Sequence, residues 1–182
     1  MVERRIALAW FTGARAGAAL GLCLAVALAP GQSCRAQPPY ALIGQAAPDF
    51  ALHAAIGGNE RLSEHRGAVV VLSFWSSQCT SCRVQLAALN RSLATYRSAG
   101  LAILGIGVDD DTARAVEFAR GAKVDFSLLL DPSKVVSRSY QVDNLPMTVL
   151  IDRNGTVRHV LRDYSPGSDA LYLQDLRDLL NE

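Results

Sequence analysis

The run Cys79-Thr80-Ser81-Cys82 sets two thiols at a spacing suited to disulfide exchange. In that chemistry one sulfur attacks a disulfide, and the second displaces the mixed disulfide that results. The attacking sulfur has to be a thiolate. A cysteine at the start of a helix is helped toward that state, because free backbone N–H groups and the helix dipole lower its pKa. Cys79 sits at such a place, since a buried strand pattern ends just before it and a helical one begins just after. Cys82, one turn into the helix, is near enough to act as the resolving thiol. An inert disulfide or half of a zinc site would use the same pair. Zinc ordinarily needs a second pair of ligands, however, and His53, His65 and His159 form no ligand-like cluster.

A second feature centres on Pro146, 64 residues after Cys82, where Asn144-Leu145-Pro146-Met147-Thr148 leads into an apolar strand. Proline at a strand start is ordinarily a boundary residue. Beside a redox pair it gains meaning, because a cis-proline loop could lie against the disulfide and offer a backbone edge to an extended substrate.

The elements that position these residues alternate between strand and helix. Phe50, Leu52 and Ala54 alternate as in a strand, Gly57-Gly58-Asn59 reads as a turn, and Leu62 begins another short element. Val69 to Trp75 is β-branched and aromatic with almost no polar residue, which marks a central strand buried on both faces. Leu86, Leu89, Leu93 and Tyr96 then share one helical face, and Gly100 supplies the stop. Leu101 to Val108 is a second buried strand. Asp110 or Asp111 can cap a helix carrying Ala115, Phe118 and Ala119, closed by Gly121. A strand at Phe126 to Leu130, a helix from Ser133 to Tyr140, and strands Thr148 to Ile151 and Thr156 to Leu161 follow. Asp152-Arg153-Asn154-Gly155 forms the turn between the last two strands. Ser168 caps a final helix with Leu171, Leu173, Leu176, Leu179 and Leu180, a stripe read as core packing. The pattern predicts a single α/β domain over residues 37–182.

Residues 1–36 read as an address. Arg4 and Arg5 precede a run from Ile6 to Pro30 that is apolar except for Thr12 and Arg15, as in a signal peptide. Cleavage after Cys34-Arg35-Ala36 would start the mature chain at Gln37. The alternatives are retention of Ile6 to Ala29 as a membrane anchor, or a lipobox at Gly31-Gln32-Ser33-Cys34 with Cys34 acylated. The expected place is therefore the periplasm or another extracytoplasmic space, where disulfides persist. The whole chain carries a net charge of +1, and removing residues 1–36 leaves −2, so no field attracts nucleic acid. A half-hydrophobic composition excludes a disordered chain. Asp109-Asp110-Asp111 is read as a strand end running into a helix cap and not as a Ca²⁺ site.

Taken together, Gly44-Gln45-Ala46-Ala47-Pro48-Asp49-Phe50, the Phe74 to Cys82 region, Gly100 to Asp109, and Tyr140-Gln141-Val142 through Leu145-Pro146 to Gly155 resemble the thioredoxin superfamily. The likeness is in particular to its exported TlpA/ResA-like branch, related to the AhpC/TSA redoxins. The resemblance covers essentially all of residues 37–182. It implies a thioredoxin fold: a central mixed β-sheet flanked by helices, with an N-terminal extension strand or hairpin. It also implies Cys79 as nucleophile, Cys82 as resolving thiol and Pro146 in cis, with Trp75, Gln78, Leu145 and Pro146 as substrate contacts and no cofactor; Trp75 reads equally as a packing residue beside the active site. The implied partners are protein thiols and disulfides and a membrane electron donor of the DsbD/CcdA type, often within cytochrome c maturation.

This chain departs from the family at several of those positions. Gln78 replaces a common tryptophan before the first cysteine, and Gln85 replaces a glutamate three residues after the second. Ser73 stands where cytoplasmic thioredoxins bury an aspartate. Ala87 replaces a helix proline, Asn144 a glycine and Met147 a threonine. Without the two carboxylates, neither neighbour can serve Cys82 as a general base. Slower exchange or a more specialised partner is expected, and an apocytochrome substrate is less favoured.

Two rivals use related folds. A peroxiredoxin-like thiol peroxidase resembles Pro-x-x-x-Thr-x-x-Cys, for which Ser76 could stand for the threonine but Leu72 holds the proline position. A Sco-like copper-delivery module resembles a wider cysteine spacing with a loop histidine, where this chain has Asp143-Asn144.

Overall fold

The computed structural model describes residues 40–165 and 169–182. The readings placed on residues 1–36, and the helix cap at Ser168, lie outside the described residues. The described elements run β1 (Ala51–Ala54), β2 (Asn59–Arg61), a 3₁₀ turn (Leu62–His65), β3 (Val69–Trp75), α1 (Thr80–Tyr96) and β4 (Leu101–Gly107). They continue with α2 (Thr112–Ala122), β5 (Ser127–Leu130), α3 (Val135–Ser139), β6 (Met147–Ile151), β7 (Val157–Arg162) and α4 (Asp169–Asn181).

All seven strands join one sheet in the order β2-β1-β5-β4-β3-β6-β7. β3, β4 and β5 are parallel to one another, while β6, β7, β1 and β2 add antiparallel pairings on either side. The continuous apolar run at Val69–Trp75 is explained by this order, because β3 lies inside the sheet and is buried along its whole length. The expected N-terminal extension is the β1–β2 hairpin. It ends the sheet with a strand of three residues that carries Glu60 and Arg61. At the other end, β7 presents Arg158 and Arg162, and its first residue is bonded to the incoming chain through Gly44 N–H to Val157 O and Val157 N–H to Gln45 O.

Alternation along β3 divides the core. Val70, Leu72 and Phe74 join Phe50, Leu104, Ile106, Val136 and Tyr140 on one face. Val69 and Val71 meet Leu89 and Leu93 of α1 and Leu176 and Leu179 of α4 on the other. Trp75, at the end of the same row, packs with Cys82 and Leu86 of α1 and with Phe118 of α2. The consequence for function is that the strand carrying the chain into Cys79 is held from both sides.

Two local readings change in the structure, and a third, the stop at Gly100, holds with an added turn before it. Gly121 does not close α2; the helix continues to Ala122, and Lys123 takes the left-handed position with φ 53°. The helix expected from Ser133 starts at Val135. The buried Asp131 carboxylate captures the N–H groups of Val135, Val136 and Ser137 from ahead of it, while Lys134 turns left-handed. After Tyr96 the chain makes a 3₁₀ turn, Arg97–Ala99, before Gly100 reverses it at φ 89°. There the Arg153 guanidinium donates to the carbonyls of Gly67, Ala99 and Leu180, tying three segments together.

Two buried tyrosines fasten the segment before β1. Tyr40 donates to the carbonyl of Tyr140, whose own hydroxyl donates to Pro48 O at 2.8 Å. Burial pushes the Tyr40 phenol up to about 12 and raises Tyr140 as well. The unfolded chain releases these protons near pH 10, before the folded chain does, so stability is full below pH 10 and falls as pH rises beyond it. Urea midpoints measured at pH 8 and pH 11 should therefore drop at the higher pH, and Tyr40→Phe should reduce that drop.

Candidate active site

β3 and α1 meet at the redox pair. The chain leaves Trp75, turns through Ser76, Ser77 and Gln78, and enters α1 with Cys79 at its N-cap. Cys79 and Cys82 form a disulfide, with their Cα atoms 5.2 Å apart. The Cys79 sulfur accepts the Cys82 N–H at 3.1 Å and lies 3.5 Å from Ser81 Oγ. Cys79 is half-buried, whereas Cys82 is 0% exposed. The first turn of α1 contains no acidic residue, so nothing there opposes a negative sulfur at the helix start. An accessible sulfur stabilised by a helix terminus, above a buried partner sulfur, is a geometry in which exchange can begin at one atom only.

Three residues along α1 from Cys82, at the position where the resemblance implies a carboxylate, Gln85 belongs to a neutral network. Ser73 Oγ donates to Gln85 Oε1 at 3.1 Å, and Gln85 Nε2 donates to Thr148 Oγ1 at 2.8 Å. All three side chains are buried. The network satisfies its members without holding a charge, so it links β3, α1 and β6 but supplies no base.

The cis-proline loop stands beside the pair. The Leu145–Pro146 peptide is cis, and Leu145 packs against the cluster that contains Trp75, Cys79 and Cys82. Part of the anticipated backbone edge is already occupied. Leu145 N–H donates to Asn144 Oδ1 at 2.9 Å, and Pro146 O accepts from Asp163 N–H at 3.2 Å. Asn144 in turn donates to the Asp163 carboxylate. An extended ligand would reach the Leu145 amide only by displacing the Asn144 side chain.

The residues expected to touch substrate divide into two groups. Gln78 is exposed and Leu145 is half-exposed beside Cys79, while Pro146 lies buried behind Leu145. Trp75 does not reach the surface. It is 0% exposed and stacks on Phe118, with centroids 4.8 Å apart and planes 17° from parallel. Its place as a substrate contact is therefore corrected to that of a supporting ring under the pair. Gly105 and Gly107 make room for it, since a Cβ at Gly107 would fall 2.7 Å from the indole. Arg83 covers the outer face of Phe118 at 4.4 Å, a contact that the sequence pattern does not announce.

In the sequence the three aspartates read as one strand-end-and-cap signal, which does not single out Asp109. The structure gives them three roles. Asp111 caps α2 through Arg114 N–H, Asp110 pairs with Lys134 at 2.8 Å, and Asp109 is buried against the loop before Cys79. Its carboxylate accepts from Ser77 N–H at 2.8 Å, Ser77 Oγ at 2.7 Å and Ser76 Oγ at 3.0 Å. Ser76, which a peroxidase reading would need at the cysteine, is thus committed to Asp109. Among the described residues no group of His, Cys, Asp and Glu is arranged to hold a metal ion, and no helix is long and apolar enough to cross a membrane.

Residues 43–160 match the AhpC/TSA family. The chain is similar to the thiol-disulfide oxidoreductase ResA of Geobacillus kaustophilus, with 34% identity over 119 residues covering 65% of this chain and 68% of the relative. ResA of Bacillus subtilis is 30% identical over 118 residues, covering 65% and 66%. Among solved structures, one provisionally named a thiol:disulfide interchange protein DsbE, from Chlorobium tepidum, superposes with a TM-score of 0.73 at 33% identity. It spans 76% of this chain and 97% of its own. A solution structure from Bacteroides thetaiotaomicron, provisionally a protein disulfide isomerase, gives 0.69 at 30% identity, over 77% and 91%.

Proposed function

From a chain that belongs to the AhpC/TSA family, and is a thiol–disulfide oxidoreductase of the thioredoxin fold, we propose an extracytoplasmic reductase of protein disulfides. The observation that carries this reading is the asymmetry of the pair. Cys79 is accessible and accepts a helix N–H, while Cys82 is sealed beneath it. In the reduced protein the Cys79 thiolate attacks one sulfur of a substrate disulfide, forming a Cys79–substrate bond and releasing the other substrate sulfur as a thiolate. Cys82 then loses its proton to water and attacks Cys79, closing the Cys79–Cys82 disulfide and freeing the second substrate thiolate. Two electrons have passed from the pair to the substrate. A dithiol donor returns them, and a membrane protein of the DsbD/CcdA type is the donor class proposed.

Gln78 and Leu145 form the rim a substrate meets first, and Pro146 backs it. Export rests on the N-terminal pattern, either with cleavage before Gln37 or with retention through the apolar segment or a lipidated Cys34.

The direction of electron flow is tested by the midpoint potential of the pair in the purified chain, read by equilibration in thiol buffers and alkylation mass spectrometry. The expected value is near about −270 mV, as in a reductase, and a value near about −120 mV would instead mark a disulfide donor and overturn the direction.

A further inference from the structure

The loop that delivers Cys79 to α1 hangs on one buried side chain. Asp109 is 8% exposed and lies just past the end of β4. Its position is set by the parallel pairing, which continues beyond the strand through Val108 N–H to Trp75 O at 2.9 Å. From there one carboxylate oxygen takes Ser77 N–H, and the other takes the hydroxyls of Ser76 and Ser77. Ser76 passes the constraint on. Its Oγ accepts Gln78 N–H at 3.3 Å, and its carbonyl accepts Cys79 N–H at 3.1 Å. Every residue from Ser76 to Cys79 is thereby bonded, directly or through Ser76, to Asp109.

We propose that Asp109 is a positioning residue for thiol–disulfide exchange, holding the Ser76–Cys79 turn so that the Cys79 sulfur stays at the N-terminus of α1. The inference rests on the assignment of Cys79 as nucleophile but is separable from it. Hydrogen bonds to an ionised acceptor are the stronger kind, and three of them converge here on a carboxylate that is itself buried. Gln78 itself is exposed, so the turn is held through the two serines and the carboxylate. Asp109 also has an opposing effect, because its negative charge stands near the loop and by itself would disfavour a thiolate. The two roles predict opposite shifts when the side chain is removed.

The test uses the full chain with Cys82→Ser, so that only one thiol of the pair titrates, and follows alkylation of Cys79 by iodoacetamide against pH. Removing Asp109 (Asp109→Ala) should release the turn, raise the Cys79 pKa toward the free thiol value of about 8.5, and slow alkylation at pH 7 by roughly tenfold. Asp109→Asn keeps one acceptor oxygen and should fall between. Ser77→Ala, which leaves the carboxylate in place, should shift the profile in the same direction by a smaller amount. It carries the test if Asp109→Ala does not fold. A profile that moves to lower pH in Asp109→Ala would make Asp109 only an opposing charge. An unchanged profile with a lowered melting temperature would make it merely structural. Either result overturns the proposal, whereas failure of Cys79 to react in the parent would overturn the nucleophile assignment instead.

Discussion

Cys79→Ala should lower the rate of insulin disulfide reduction to that of the reducing buffer alone, while Cys82→Ser should accumulate a covalent adduct with its substrate. The two outcomes differ because the two sulfurs differ in place. Cys79 is the only one of the pair that a substrate disulfide can approach, since Cys82 is packed among Trp75, Leu86 and Phe118. Removing the Cys79 sulfur leaves no accessible thiol in the pair. Removing the Cys82 sulfur leaves attack intact and blocks escape, because a serine hydroxyl is not ionised at neutral pH and cannot displace the mixed disulfide. Non-reducing gels and intact mass would show the adduct, and dithiothreitol would release it. Substantial reduction by Cys79→Ala, together with an adduct that forms only when Cys82 is retained, would reverse the assignment.

Gln85→Glu should accelerate resolution by about 10²-fold and cost stability at neutral pH. Gln85 is one turn along α1 from Cys82, and its amide sits between Ser73 and Thr148 in the buried network. A carboxylate there keeps the bond from Ser73 and can accept from the Thr148 hydroxyl once that group rotates. It would also take a proton from Cys82, which the amide cannot do. Burial raises the carboxyl pKa above the value of about 4.3 that it has in the unfolded chain. The penalty is therefore present above the folded-state pKa and disappears as pH falls toward the unfolded one. Urea midpoints of variant and parent should differ by on the order of 2 kcal/mol at pH 7 and converge near pH 4. Release of the mixed disulfide, followed by stopped flow, should stay fast to lower pH than in the parent, falling only as the new carboxyl is protonated. A pH profile unchanged from the parent's would mean that the lost carboxylate is not what limits this protein.

The framework was legible because its signals are local. The apolar run at Val69–Trp75, the Leu86–Leu89–Leu93 face and the Asp152–Gly155 turn each show their periodicity or turn chemistry within a few residues, and each stands where expected. The redox pair was legible for the same reason. What lay hidden depends on pairings between distant segments. Asp109 reaches Ser77 across 32 positions, and Gln85 reaches Thr148 across 63. Neither bond has a spacing rule, because each exists only once β3, β4 and β6 lie side by side. Gly105 and Gly107 carry no signal of their own within Leu101 to Val108, and their purpose shows only in the structure, where the Trp75 ring lies over them. The end of α2 was misread because a glycine is the usual left-handed residue, yet Lys123 adopts that conformation itself.

The two ends of the sheet bear on the company such a protein keeps. On the function proposed above, a reductase of unfinished disulfides would work among half-folded chains, and these are prone to add themselves as an extra strand to any open sheet margin. Here one margin is three residues long and carries Glu60 and Arg61. The other carries Arg158 and Arg162 and is partly blocked at its start by the incoming chain. Short, charged margins of this kind make poor templates for aggregation. On that reading a wandering client would find little purchase along the sheet, and more at the loop beside Cys79, where the encounter can end in chemistry and release.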